Sequence, residues 1–226
     1  MPIEIGFLVF PRVQQLDLTG PYEVLAMVPG TRVHLVAKAL GPIESATGLI
    51  LTPTVSFADC PVLDVICVPG GSGVNPLMED AETLDFLRRQ AETARYLTSV
   101  CTGALALGAA GLLRGRRATT HWAAHDLLAA FGAIPTEGRV VRDGNLITGG
   151  GVTAGIDFGL TLAAELADEA TAQAIQLHQE YAPAPPFDAG RPETAGPGIL
   201  AAARERLSAT RREREAIVAR VARVRG

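Results

Sequence analysis

Two hydrophobic patterns alternate along the first 181 residues. Short apolar, β-prone runs are separated by segments whose apolar positions recur at helical spacing. The runs that predict strands are Ile3–Phe10, Arg32–Ala37, Leu49–Phe57 at an edge, Val62–Val68, Tyr96–Val100 and Asn145–Thr148. The segments that predict helices are Leu16–Met27, Ala81–Glu92, Thr102–Leu113, Trp122–Phe131, Ala154–Ala167 and Glu169–Tyr181. This alternation is typical of a flavodoxin-like, doubly wound α/β domain, in which a mostly parallel sheet carries helices on both faces.

The pattern changes after Tyr181. Residues 182–197 are rich in proline and predict an extended segment, whereas apolar positions at helical spacing return beyond Ile199 between arginines and glutamates. The sequence therefore predicts two units, a domain over residues 1–181 and a proline-rich segment with a helical C-terminal arm over residues 182–226. Because the arm is amphipathic, we expect it to pack at the interface of a homodimer.

Composition narrows the class of protein. The 226 residues are 48% hydrophobic and 19% charged, which is typical of a folded globular protein. The net charge is −4, which makes nucleic acid an unexpected partner. No apolar run reaches the roughly 20 residues that span a bilayer, and the N-terminus enters a strand without an export signal. Cys60, Cys67 and Cys101 are odd in number and lack metal-ligand spacing, which favours the reducing cytoplasm.

Cys101 has the strongest chemical context in the chain. The strand Tyr96–Val100 ends abruptly at this residue, and a small-residue helix begins at Thr102-Gly103. A strand that turns directly into a helix forms a nucleophile elbow, here with cysteine in place of serine. The helix N-terminus is expected to lower the pKa of the thiol. The alternative is an inert cysteine packed in a buried strand.

Three loops are expected at the same edge of the sheet as Cys101. Asp17 lies at the start of a predicted helix, where it acts either as an N-cap or as a buried proton carrier. The Gly70-Gly71-Ser72 turn is either an ordinary turn or, with the N–H of Thr102, an anion-stabilising pocket. The loop that contains Gly150 and Val152 serves tight packing or gives the next helix room to move. His121 ends a strand and either approaches the site or packs beside Trp122.

Five ordered motifs together resemble the ThiJ/PfpI superfamily, which has the class I glutamine amidotransferase-like fold. They are Asp17-Leu18-Thr19-Gly20-Pro21, Pro69-Gly70-Gly71, Val100-Cys101-Thr102-Gly103, Ala118-Thr119-Thr120-His121-Trp122 and Thr153-Ala154-Gly155-Ile156-Asp157. The branch that hydrates isocyanides is the most similar. That resemblance implies Cys101 as nucleophile, Asp17 as acid and base, and Thr102 as their catalytic neighbour. It further implies substrate or oxyanion contacts from Gly70, Gly71, Ser72, Gly150 and Val152, no cofactor, a small isocyanide as substrate, and a homodimer.

Departures from the superfamily pattern limit the alternatives. Peptidases and many glyoxalase-type members carry a histidine after the nucleophile, where this chain has Thr102, which disfavours peptide hydrolysis. Related regulators continue into a DNA-binding helix-turn-helix domain, for which the arm beyond Tyr181 is too short. Two alternatives remain: a glyoxalase- or deglycase-like enzyme acting on reactive carbonyls, and a non-catalytic redox sensor that uses Cys101.

Overall fold

The computed structural model describes residues 2–225, with side chains up to residue 223, so residues 1 and 226 of the two expected units lie outside it. The strands are β1 (Ile3–Leu8), β2 (Thr31–Ala37), β3 (Ile43–Glu44), β4 (Ile50–Leu51), β5 (Val55–Ser56), β6 (Val65–Val68), β7 (Tyr96–Val100), β8 (Arg117–Ala118), β9 (Ile134–Pro135), β10 (Val140–Asp143) and β11 (Leu146–Gly149). The α-helices are α1 (Gln15–Leu25), α2 (Val74–Leu77), α3 (Ala81–Ala91), α4 (Gly103–Ala109), α5 (Ala154–Leu166), α6 (Glu169–His178) and α7 (Pro197–Arg225).

A seven-stranded sheet in the order β10-β11-β7-β6-β1-β2-β5 forms the centre of the molecule. All neighbouring strands in it are parallel except β10 and β11, which form an antiparallel hairpin. The hairpin turns at Asp143-Gly144, where Gly144 has a φ of 59°, a conformation that glycine adopts without strain. The predicted mostly parallel, doubly wound sheet is confirmed.

Helices cover both faces of this sheet because successive strand residues point to opposite sides. In β1, Phe7 packs into the core shared with α1, α5 and α6, whereas Leu8 packs into the core shared with α2, α3, α4 and α7. The carboxyl ends of the central strands β1, β6 and β7 consequently meet at one edge, as in other open α/β sheets. Two of the loops predicted to hold the site follow β1 and β6, and the third follows β11, which pairs in parallel with β7 and so ends at the same edge.

Three local predictions differ from the structure. The single edge strand expected over Leu49–Phe57 is two short strands on either side of Pro53, since proline lacks the N–H that a ladder needs. Of these, β4 pairs with β3 and β5 pairs with β2. The segment Trp122–Phe131 is a 3₁₀ helix rather than an α-helix. The helix after Cys101 ends at Ala109, short of Leu113.

The C-terminal arm contains one long helix, α7, after an extended proline-rich segment. Ile217 and Val218 on this helix are buried in the core of their own chain. Arg211 binds Asp126 through two hydrogen bonds of 2.8 and 2.6 Å. The arm therefore packs on its own domain. The sequence had instead predicted that it packs on a second copy of the chain. A dimer interface formed by the outer face of the arm stays a prediction.

Candidate active site

Cys101 lies at the sharp turn between β7 and α4. Its φ is 54°, in the left-handed region that non-glycine residues seldom adopt and that a nucleophile elbow requires. The strained turn is held by several hydrogen bonds: the Cys101 N–H donates to the carbonyls of Gly149 and Gly150, and its carbonyl accepts from Thr120 Oγ1 at 2.6 Å. Gly103 completes the turn, because a Cβ there would lie 1.9 Å from the Val68 carbonyl oxygen.

Asp17 is brought to the same point from the other side. It is the third residue of α1 and is fully buried, while Gln14 occupies the N-cap position. The N-cap interpretation of Asp17 is therefore wrong. Its Oδ2 accepts a hydrogen bond of 2.9 Å from the Gly70 N–H, and Oδ1 has no hydrogen-bond partner within residues 2–225. One carboxylate oxygen is thus held by the backbone, and the other forms no hydrogen bond to the described residues.

Burial sets the protonation of this pair. It raises the pKa of Asp17 to about 7, although the Gly70 N–H and the Cys101 thiol oppose the rise. Burial, and then the nearby Asp17 charge, raises the pKa of Cys101 well above its ordinary value, and the Thr102 N–H and the charge of Arg214 offset this only in part. The sequence predicted a thiol acidified by the helix N-terminus. Desolvation outweighs that effect, so the resting cysteine is a thiol beside a carboxyl.

The Gly70-Gly71 turn and Thr102 form one hydrogen-bonded unit. The Gly71 N–H donates to Thr102 Oγ1 at 3.0 Å, and this hydroxyl donates to the Gly71 carbonyl at 3.3 Å. Because the Gly70 N–H binds Asp17, neither glycine N–H is free for the anion pocket that the sequence suggested. A Cβ on Gly70 would lie 2.6 Å from the Thr102 nitrogen and 2.7 Å from Asp17 Oδ2. Glycine is needed here for close approach.

A cavity of about 420 Å³ opens onto Cys101. Its lining residues come from the elbow, the neighbouring loops and the C-terminal helix: Gln14, Ala46, Gly71, Ser72, Cys101, Thr102, His121, Ala123, Val152, Arg206, Leu207, Thr210, Arg211 and Arg214. Asp17 is not part of the lining and lies behind it, against Cys101. A larger, mainly apolar cavity of about 550 Å³ beside Phe10 and Phe57 contains none of the predicted site residues.

The remaining predicted residues divide between lining and support. Ser72 and Val152 line the cavity, whereas Gly150 does not, and its carbonyl instead holds the Cys101 N–H at 2.8 Å. His121 both lines the cavity and caps the 3₁₀ helix, with Nδ1 accepting from the Ala123 N–H at 3.2 Å. These placements fit the predicted roles of Ser72 and Val152 in substrate contact, which stay predictions.

The contribution of α7 to this cavity was not predicted from the sequence. Arg214 on α7 is buried and faces the site, with its Nε donating to Asn75 Oδ1 at 2.9 Å. An arginine in a charged, helical segment is normally solvated, and only the tertiary path of the arm brings Arg214 to Cys101. Its hydrogen-bond partner, the buried Asn75 of the short helix α2, can be recognised only once the fold is known.

Within residues 2–225, none of the helices combines the length and the hydrophobicity that spanning a bilayer requires. Within the same part of the chain, no group of three or more histidine, cysteine, aspartate or glutamate side chains is arranged to hold a metal ion.

Comparison with known proteins gives matches over nearly the whole chain. The DJ-1/PfpI family model matches residues 4–165. An isonitrile hydratase from Pseudomonas putida is 65% identical over 98% of this chain and 97% of its own length. The crystal structure of a ThiJ/PfpI family protein from Pseudomonas syringae superimposes with a TM-score of 0.94 at 46% identity, covering 96% of this chain and 91% of that one.

A regulator also matches, over a smaller part. The HTH-type transcriptional regulator GbdR of Pseudomonas aeruginosa is 33% identical over 71% of this chain, and the match covers 46% of the regulator. The superfamily resemblance drawn from the five sequence motifs is confirmed.

Proposed function

The chain belongs to the DJ-1/PfpI family, and we propose that it is an enzyme that hydrates isocyanides, R–N≡C, to N-substituted formamides. The observation that carries this proposal is the full-length likeness to an isonitrile hydratase. The geometry supports it, because a thiol at a nucleophile elbow and a carboxyl with a pKa of about 7 meet beside one cavity. A carboxyl that titrates near neutral pH can both donate and accept a proton during turnover.

Addition of the thiol forms the covalent intermediate. The Asp17 carboxylate, which lies against the thiol, takes the Cys101 proton as Sγ bonds to the terminal carbon of the isocyanide. The same carboxyl then delivers this proton to that carbon, which leaves the thioimidate R–N=CH–S–Cys101. The Thr102 N–H, which favours the charged form of Cys101, stabilises the thiolate as it develops.

Water completes the reaction. It adds to the thioimidate carbon while the Asp17 carboxylate accepts one of its protons and passes it to nitrogen. As the carbonyl bond forms, the carbon–sulfur bond breaks and the hydroxyl proton returns to Cys101. Thr102 holds the Gly70-Gly71 turn, which in turn holds Oδ2 of Asp17. Thiol, carboxyl and water account for every bond and proton in this scheme.

A product assay tests the proposed reaction. We expect purified protein and an alkyl isocyanide such as cyclohexyl isocyanide to yield the N-alkyl formamide, followed by NMR. Methylglyoxal is the matched substrate for a glyoxalase- or deglycase-like enzyme and should not be consumed. Consumption of methylglyoxal without formamide production would favour that alternative, and oxidation of Cys101 by peroxide with neither turnover would favour a redox sensor.

We further propose that the enzyme is a cytoplasmic homodimer. The three cysteines are all free thiols, as expected in a reducing compartment. Phe187 and Ile199 in the arm are large apolar residues that are 78% and 63% exposed, and a second copy would cover them. The arm would then join its own domain on one face and a partner copy on the other.

A further inference from the structure

The last helix places a rigidly held cation in the cavity of Cys101. Arg214 is 7% exposed, and its Nε donates to Oδ1 of Asn75. Asn75 is fully buried, and its Nδ2 donates to the Glu213 carboxylate at 2.7 Å and to the Thr210 carbonyl at 3.3 Å. The guanidinium is therefore oriented before any ligand binds.

Arg214 also has no direct ion pair with a carboxylate among the described residues, and the negative charge of Glu213 acts on it from the far side of Asn75. Its neighbour Arg211 forms an ion pair with Asp126, whereas no ion pair to Arg214 occurs in the stretch from residue 2 to residue 225. Glu213, which is close in sequence, directs its carboxylate to Asn75 instead. A buried charge is costly unless it is paired, so a guanidinium in this state is suited to an anionic ligand.

The lining of the cavity carries positive charge, which suits an anionic ligand. Arg206, Arg211 and Arg214 line it, of which Arg211 is ion-paired with acidic side chains outside the cavity, and its described lining contains no aspartate or glutamate. His121 stays neutral at neutral pH, because burial and the charge of Arg214 lower its pKa to about 4. At about 420 Å³, the space is much larger than an isocyano group, so a substituent can extend from Cys101 toward the arginines.

We propose that Arg214 is a specificity-determining residue, and that the preferred substrates are isocyanides whose substituent carries a carboxylate. This inference rests on the proposed hydration of isocyanides. A planar guanidinium offers parallel N–H donors that match the two oxygens of a carboxylate. With the carboxylate on Arg214, the isocyano carbon is directed to Sγ of Cys101 at the other part of the cavity.

A matched pair of substrates tests this proposal. Isocyanoacetate and its methyl ester differ in the negative charge, and the quantity to measure is the ratio of their kcat/KM values. We expect the wild type to favour the carboxylate, and Arg214→Met to lower that ratio by about ten- to a hundredfold. Arg214→Lys, which keeps the charge but loses the planar fork, should give an intermediate ratio. Arg212→Met removes an exposed charge from the same helix and should keep the wild-type ratio.

The ratio separates recognition from other effects of Arg214. Any change in the fold or in the Cys101 thiol acts on both substrates alike and cancels. If both compounds are hydrated but wild type and Arg214→Met have the same ratio, the proposal is overturned while the hydratase function stands. If neither is hydrated, calorimetry of isocyanoacetate with Cys101→Ala decides: binding that is lost in Cys101→Ala/Arg214→Met supports anion recognition, and equal or absent binding overturns it.

Discussion

At the scale of single residues, the proposed mechanism depends on one proton shared between Cys101 and Asp17. With one proton on the pair, the carboxylate can deprotonate the thiol, and with two protons it cannot. Since the pKa of Asp17 is raised to about 7, we expect kcat/KM to rise with pH up to about 7 and then to level off.

Asp17→Asn keeps the acceptor for the Gly70 N–H but cannot exchange protons. It should lose at least about 10²-fold in turnover, with Asp17→Glu intermediate.

The same variant has a stability signature. An unfolded aspartate releases its proton near its ordinary pKa of 3.8, whereas folded Asp17 keeps it up to about 7. The unfolded state therefore binds fewer protons in this window, and the free energy of unfolding falls as pH rises from about 4 to about 7. Asp17→Asn escapes this loss. Its melting temperature relative to wild type should increase between pH 5 and pH 8, and near-normal turnover with no such increase would remove Asp17 from the mechanism.

At the scale of elements, the elbow depends on how closely α4 approaches the end of β6. A Cβ at Gly103 would lie 1.9 Å from the carbonyl oxygen of Val68 and 2.8 Å from that of Pro69. Backbone atoms cannot yield as a flexible side chain would. We therefore expect Gly103→Ala to lower the free energy of unfolding by at least about 1–3 kcal/mol, measured in urea.

A second glycine provides the control for this change. Gly198 lies in the first turn of α7, and a Cβ there would meet no atom within 4 Å. Gly198→Ala should leave stability unchanged or raise it by up to about 1 kcal/mol, because alanine is the better helix former. The close-packed elbow would be contradicted if Gly103→Ala unfolded at the same urea concentration as wild type.

At the scale of the whole molecule, local patterns predict the domain and the elbow at Cys101, whereas the pairing of Cys101 with Asp17 was predicted from the resemblance of the motifs to a known superfamily. The alternation of strands and helices fixes which edge of the sheet the loops reach. The pKa of Cys101 was predicted in the wrong direction, because burial is a property of the packed fold. Arg214 was missed for a related reason, since the path of α7 across the domain depends on tertiary contacts such as those with Asn75 and Asp126.

The proposed dimer also belongs to this scale. Light scattering should give twice the mass of one chain for the wild type. The double substitution Phe187→Ser/Ile199→Ser, which removes two exposed apolar residues from the arm, should shift it toward a single chain. Leu177→Ser removes an equally exposed apolar residue from α6, outside the arm, and should stay dimeric. A single-chain mass for the wild type would reject the dimer, and a dimeric double variant would remove the arm from its interface.

The central claim, hydration through a covalent bond to Cys101, is tested most directly by the rate of formamide formation in cysteine variants. Cys101→Ala removes the nucleophile, whereas Cys60→Ala removes a half-buried thiol whose pKa burial raises to about 11. We predict that Cys60→Ala hydrates cyclohexyl isocyanide at the wild-type rate and that Cys101→Ala falls below about a hundredth of it, because general acid–base catalysis by Asp17 alone supplies only about 10²–10⁴-fold. A folded Cys101→Ala protein that keeps more than that fraction would contradict the covalent mechanism.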